Sequence, residues 1–217
     1  MECVPPVRGS CKYHPQPSSI ALVTQAIRAV NVRGLQVLDP FCGTGTIVCV
    51  AADNGALKAL GSDIEDYTFC SRDPVYMAAT SKGLGEAVIE VHYGIDAFEA
   101  ISSYQYDIVI TDPPNPWAVI GGAPISIKRD TGLNGAEIAR FWKPRFSDKN
   151  LIHGKETTVS AVSNLFAEVL GSGRRVVANL FVSRGRDYKD LLRDEFTFRP
   201  VAGTYYEIEM VENRKGD

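Results

Sequence analysis

Three features of the sequence predict an α/β domain. Short apolar runs alternate with amphipathic stretches, a glycine-bearing turn follows the first of those runs, and acids close several others. Together they imply a Rossmann-like, doubly wound and mostly parallel sheet of about seven strands with an antiparallel C-terminal strand. In such a sheet ligands sit at the carboxyl ends of the strands.

The elements follow in order. Residues 1–17 are rich in proline and polar residues and read as an N-terminal arm. Residues 18–217 then form a single domain. Ser18 and Ser19 precede IALVTQAIRAV, where Ile20, Val23, Ile27 and Val30 keep helical spacing behind a serine N-cap. LQVLDP is a strand ending in an acid, and GTGTIVCVAADNG is a glycine turn entering a helix closed by Gly55. ALGSDI reads as the second strand, VYMAATSKGLG as a helix, AVIEVHYG as the third strand, and YDIVITDPP as the fourth, stopped by two prolines. TTVSAVSNLFAEVLGSG is amphipathic, RRVVANLFVS is a fifth strand, and YKDLLRDEF is helical. FTFRP and TYYEIEMVENR close the chain as a pair of strands. Between the fourth strand and the amphipathic helix, residues 115–155 are weakly periodic and bear several glycines. A connection that long inside a compact domain usually carries function.

Composition narrows the function classes. The chain has 217 residues, 45% hydrophobic and 23% charged. A domain of this size buries roughly 70% of its unfolded surface, and no apolar run is long enough to span a membrane. The N-terminus lacks the apolar core of a signal peptide, so a cytoplasmic or nuclear location is expected. Net charge is −3, so any contact with nucleic acid depends on a local basic patch. The five cysteines, Cys3, Cys11, Cys42, Cys49 and Cys70, include no CxxC pair. That argues against a disulfide framework, and no metal is expected.

The turn Asp39-Pro40-Phe41-Cys42-Gly43-Thr44-Gly45-Thr46 lets backbone approach a ligand at a helix start. It is neither a GxGxxG fingerprint, since Val48 stands at the third position, nor a P-loop. DPFCGTGT instead resembles the first motif of class I S-adenosylmethionine-dependent methyltransferases, in the branch that methylates exocyclic amines of nucleic-acid bases. The resemblance implies S-adenosyl-L-methionine as cofactor. It places Phe41, Gly43, Thr44 and Gly45 under the methionine part, with Asp39 holding the cofactor's charged groups. Asp63 ends the second strand, where a carboxylate can accept both hydrogen bonds of a ribose diol; the alternative is a solvated acid. The resemblance gives Asp63 the ribose role, sets Ile64 against the adenine, and assigns Asp96, with Ala97 and Phe98 beside it, to the adenine amino group. A helix N-cap is the other reading of Asp96.

Ile110-Thr111-Asp112-Pro113-Pro114-Asn115 resembles the second motif of the amino-methyltransferases. An exocyclic amine is a poor nucleophile because its lone pair is delocalised into the ring. Acceptors such as the Asp112 carboxylate and the Pro113 carbonyl draw the nitrogen towards tetrahedral geometry and free that pair for attack. The two prolines stiffen the loop and remove competing N–H groups. The catalytic set is therefore Asp112, Pro113, Pro114 and Asn115. Asn115 stands where the family usually has Tyr or Phe to stack on the base. Trp117 is a candidate substitute, unless it is a core residue. Methylation of pyrimidine C5 needs a thiolate late in the chain, and no cysteine follows Cys70.

Between Ile125 and Lys155 seven basic residues (Lys128, Arg129, Arg140, Lys143, Arg145, Lys149 and Lys155) outnumber three acids. Phe141, Trp142 and Phe146 are interleaved, which suits phosphates and unstacked bases; a solvated loop is the plainer reading. The substrate-binding candidates are Trp117, Lys128, Arg129, Arg140, Trp142, Lys143 and Arg145. Arg174, Arg175, Arg184 and Arg186 extend the patch in this reading, and Tyr13 and His14 lie where related enzymes run an arm past the cofactor. VLDPFCGTGTI, GSDIE and ITDPPN look most like tRNA guanine-N2 methyltransferases. YHPQPSS before a helix resembles DNA adenine-N6 or cytosine-N4 enzymes. RNA is favoured over DNA as partner. The expected absence of an RNA-binding domain ahead of the fold weakens the tRNA case unless a protein partner subunit supplies one. The competing class is an inactive cofactor-binding subunit that activates a partner.

Overall fold

The computed structural model describes residues 19–64, 88–114, 155–183 and 185–211. Helix α1 (Ile20–Val30) buries Val23, Ala26 and Ile27, one stripe at helical spacing. Ser19 stands at its N-cap in extended backbone, but its hydroxyl makes no cap bond. Asn31 ends the helix in the left-handed region at φ 56°. Strand β1 (Gln36–Asp39) leads through the glycine turn into α2 (Thr46–Asp53). Strands β2 (Lys58–Asp63) and β3 (Val88–Tyr93), helix α3 (Ala97–Ser103), and strand β4 (Ile108–Thr111) follow. Beyond them come α4 (Lys155–Gly171), β5 (Arg175–Asn179), the two-residue strands β6 (Val182–Ser183) and β7 (Arg186–Asp187), then β8 (Phe196–Ala202) and β9 (Tyr205–Met210).

Seven strands form one sheet in the order β3-β2-β1-β4-β5-β9-β8. Strands β1 to β5 are parallel, and β9 is antiparallel to both β5 and β8. The predicted doubly wound sheet with one reversed C-terminal strand is therefore present. Alternation along β1 divides the core: Val37 packs with α1 and α2, and Leu38 with α3 and α4. Both faces are covered, which is why the central strands read as continuous apolar runs.

Gly61 on β2 is required by packing. A Cβ there would stand 2.9 Å from the Val48 side chain and 3.0 Å from the Cys42 sulfur. Only the missing methyl group lets the turn and α2 lie this close to the sheet.

Three expectations change. RRVVANLFVS is not one strand: β5 stops at Asn179, and β6 pairs with β7 in a small hairpin. Strand β4 has already ended at Thr111, before prolines that have no N–H to continue the ladder. YKDLLRDEF forms only a short 3-10 helix over Lys189–Leu191. Tyr188, Leu192 and Phe196 are all buried, and the Asp187 carboxylate takes the Lys189 N–H at 2.9 Å, so local anchoring overrides a longer helix. Arg174 and Arg175 do not extend a substrate patch. They lie at the amino end of β5, where Arg174 covers the Tyr106 ring and Arg175 pairs with Glu207 at 2.8 Å. A parallel strand carries its first residues to the edge opposite its last ones. The helix expected over 75–85 lies outside the described residues.

Candidate active site at the carboxyl edge of the sheet

The parallel strands finish along one edge, and Asp39 closes β1 while Asp63 closes β2. Asp112 follows β4, and Asp96 lies just beyond β3. The turn after β1 needs its glycines, because Gly43 and Gly45 sit at φ 52° and 81°. Gly43 is held from two sides. Its N–H donates to Asp63 Oδ2 at 2.9 Å, and its carbonyl accepts the Tyr93 hydroxyl at 3.0 Å. Side chains from β2 and β3 thus fix the turn that β1 delivers. Tyr93 is absent from the sequence-based candidates. Its only signal is a tyrosine at the end of a strand that already carries site residues.

Asp39 is buried, and its Oδ1 accepts the Thr111 hydroxyl at 2.7 Å and the Phe41 N–H at 3.2 Å. Burial pushes its carboxyl up to about 8, against those two hydrogen bonds and with help from the Asp112 and Asp63 carboxylates. Three acids therefore share one edge and feel one another. Such an edge favours a cationic ligand. Ile64, next after β2, is an exposed apolar side chain, which suits contact with a flat ring. Thr44 is buried in the turn and Phe41 is half-buried beside it.

Asp96 accepts the Phe98 N–H at 2.8 Å and caps α3, with Ala97 as that helix's first residue. The N-cap reading is therefore realised. α3 itself was missing from the sequence reading, although Asp96 and Glu99 have the spacing of a capping box.

Cys42 is a free and buried thiol whose ionisation burial suppresses. Cys49 is in a disulfide, which the cysteine spacing did not foretell. Among the described residues no group of three or more His, Cys, Asp or Glu is placed to hold a metal. Nor is any helix long and apolar enough to cross a membrane.

Two tyrosines from the C-terminal part stand behind Asp112, and sequence reasoning missed both. Tyr188 donates its hydroxyl to the Pro114 carbonyl at 3.2 Å. The hydroxyls of Tyr188 and Tyr205 are pushed up by burial first and then by the Asp112 carboxylate, and Tyr205 also feels Asp39. The buried Tyr205 hydroxyl has no hydrogen-bond partner among the described residues. Tyr205→Phe is therefore expected to raise stability by about 1 kcal/mol, since it removes an uncompensated polar group while keeping the ring. A higher urea midpoint at unchanged slope would show this.

Asn115, Trp117, Lys128, Arg129, Arg140, Trp142, Lys143 and Arg145 lie outside the described residues, as do Tyr13, His14 and Arg184.

A family model described as DNA methylase matches residues 2–69, a stretch that includes α1, β1, the glycine turn and β2. This segment heads the seven-stranded sheet, with the second motif placed after β4. That match covers less than half of the chain. No curated protein sequence matches the chain. Among solved structures it is similar to a 16S rRNA N2 methyltransferase from T. thermophilus, solved with AdoMet and guanosine. Identity there is 21% and the TM-score 0.40, over 89% of this chain and 42% of that one. A candidate RNA methyltransferase from Pyrococcus horikoshii is 13% identical with a TM-score of 0.43, over 90% and 82% of the two chains. Magnesium protoporphyrin IX methyltransferase from Synechocystis, with bound SAH, is 17% identical with a TM-score of 0.45, over 87% and 77%. The chain thus spans less than half the length of the first of these.

Proposed function

We propose that the chain transfers a methyl group to an exocyclic amine of a nucleic-acid base. RNA guanine-N2 is the favoured acceptor and DNA adenine-N6 or cytosine-N4 the second. The observation that carries this reading is the placement of Asp112. It follows β4, the neighbour of the strand that Asp39 closes, near enough for Asp39 to feel its charge, at the head of a proline-stiffened loop. The motif likeness of GSDIE and ITDPPN supports guanine-N2. The DNA methylase family match over residues 2–69 supports the DNA amines.

In this reading Asp39 and the turn Phe41 to Gly45 hold the charged end of the donor. Asp63 with Ile64 holds the ribose and adenine side, and Asp96 with Ala97 borders the adenine. The bound donor supplies an electrophilic methyl on a sulfonium. The Asp112 carboxylate and the Pro113 carbonyl accept the amine hydrogens and orient the nitrogen lone pair along the line of transfer. With the donor bound, its methyl would pass from sulfur to the nitrogen, and the surplus proton would then pass to the Asp112 carboxylate or to water, so no histidine base is needed. Asn115 and Trp117 border the base, and the basic and aromatic residues of the 115–155 insertion, Lys128, Arg129, Arg140, Trp142, Lys143 and Arg145, meet the phosphates and flanking bases.

The test is incubation with labelled donor and separate pools of tRNA, rRNA, DNA and protein, followed by nucleoside mass spectrometry. Label in N2-methylguanosine supports the first acceptor, and label in N6-methyladenine or N4-methylcytosine the second. Asn115, where an aromatic is usual, keeps one other reading in play: a subunit that binds the donor and activates a partner. Donor binding without label in any pool, alone or with candidate partners, would favour that subunit and overturn the transfer reading.

A further inference from the structure

Tyr188 is fully buried, yet its hydroxyl reaches across 74 positions of sequence to the Pro114 carbonyl. Its own placement is rigid. The ring meets Phe181 edge-on, with centroids 6.1 Å apart and planes at 76°. Its N–H bonds to the Phe181 carbonyl at 3.3 Å, and its carbonyl accepts the Leu191 N–H at 3.0 Å. The Asp187 carboxylate closes the turn that follows, through the Lys189 N–H. The β6–β7 hairpin and the 3-10 helix thus deliver one donor group to one carbonyl.

That carbonyl belongs to a stretch whose two prolines can donate no backbone hydrogen bond. Pro113 and Pro114 have no N–H, so this stretch anchors its backbone through carbonyls alone. Fixing the Pro114 carbonyl sets the peptide plane at the end of the Asp112-Pro113-Pro114 run. Two prolines of fixed φ carry that constraint back towards Asp112. The hydroxyl of Tyr188 also feels the Asp112 carboxylate, so the two lie near each other.

We propose that Tyr188 is the positioning residue of the methyl-acceptor loop, its hydroxyl pinning the Pro114 carbonyl so that Asp112 and the Pro113 carbonyl stay aimed at the amine. The proposal rests on the amine-transfer reading above and deepens it. Tyr188 is assigned no contact with donor or acceptor in this reading. It acts through the loop, so its loss reads out as misalignment and not as lost binding.

The experiment compares Tyr188→Phe, which removes only the hydroxyl, with Phe181→Leu, which loosens the ring's packing and leaves the hydroxyl. Three quantities are measured on the full chain: kcat on whichever nucleic-acid pool takes label, KM and Kd for the donor, and hydrogen exchange at the amides flanking the two prolines. Tyr188→Phe is expected to lower kcat roughly tenfold to a hundredfold, leave the donor constants within about twofold, and speed exchange of those amides. Phe181→Leu is expected to lower thermal stability with a much smaller loss of kcat. If wild-type protein transfers label and Tyr188→Phe does so at an unchanged rate, the positioning role is overturned and the amine-transfer reading stands. If wild-type protein labels no pool, the amine-transfer reading falls. Loop exchange in Tyr188→Phe then decides the pinning by itself, and unchanged exchange overturns it.

Discussion

An Asp112→Ala variant is expected to bind the sulfonium donor with nearly wild-type affinity and to transfer no methyl group above background. The two halves of that result have separate causes. In this reading donor affinity depends on the turn after β1 and on the ends of β2 and β3, where Gly43 bonds to Asp63 and Tyr93, and Asp39 bonds to Thr111 and Phe41. Asp112 lies beyond β4, and Asp39 feels its charge. Transfer depends on an amine whose lone pair is delocalised into a ring. Losing one preorganised polar group typically costs on the order of 10²–10³ in kcat. A carboxylate that also draws hydrogen density off the amine adds to that. Asp112→Asn retains an acceptor oxygen without the charge, so it should keep a measurable fraction of the rate. Calorimetry for the donor and single-turnover labelling separate the two halves. Wild-type turnover in Asp112→Ala would end the amine-activation account.

What could be read in the sequence was whatever repeats locally. Asp39, Asp63 and Asp112 were legible because each closes a short apolar run, and parallel strands bring all such closures to one edge. The contacts that make those acids into a site were not legible. Tyr93 meets Gly43 across 50 positions, and Tyr188 meets Pro114 across 74. No periodicity records a pairing of that kind. Arg174 and Arg175 show the opposite error. Clustered charge before a strand looks like part of a basic patch until strand direction sends it to the far edge, where Glu207 accepts Arg175. The short helix α3 went unseen for a third reason: its amphipathic stripe is brief, and its clearest mark is the single carboxylate of Asp96 at its N-cap.

Donor affinity is expected to increase with pH from about 5 to about 8, by up to tenfold per unit, through the titration of Asp39. Burial holds its carboxyl protonated across the neutral range, with the Asp112 and Asp63 carboxylates adding to the same effect. A cationic donor reverses the preference, because its charge favours the carboxylate. Binding therefore expels a proton, and each unit of rising pH makes that expulsion easier until Asp39 ionises unaided at about 8. Stability of the ligand-free fold runs the other way. The folded chain holds this proton more tightly than the unfolded chain, whose aspartate titrates near 3.8. Asp39's contribution is thus fully present below that value and is lost as pH climbs towards 8. Asp39→Asn should flatten both slopes, and it should weaken donor binding most at pH 8, where the wild-type carboxylate is available. Calorimetry in buffers of different ionisation enthalpy measures the released proton directly. A wild-type value of zero at pH 6.5 would mean that Asp39 is already charged beneath the turn.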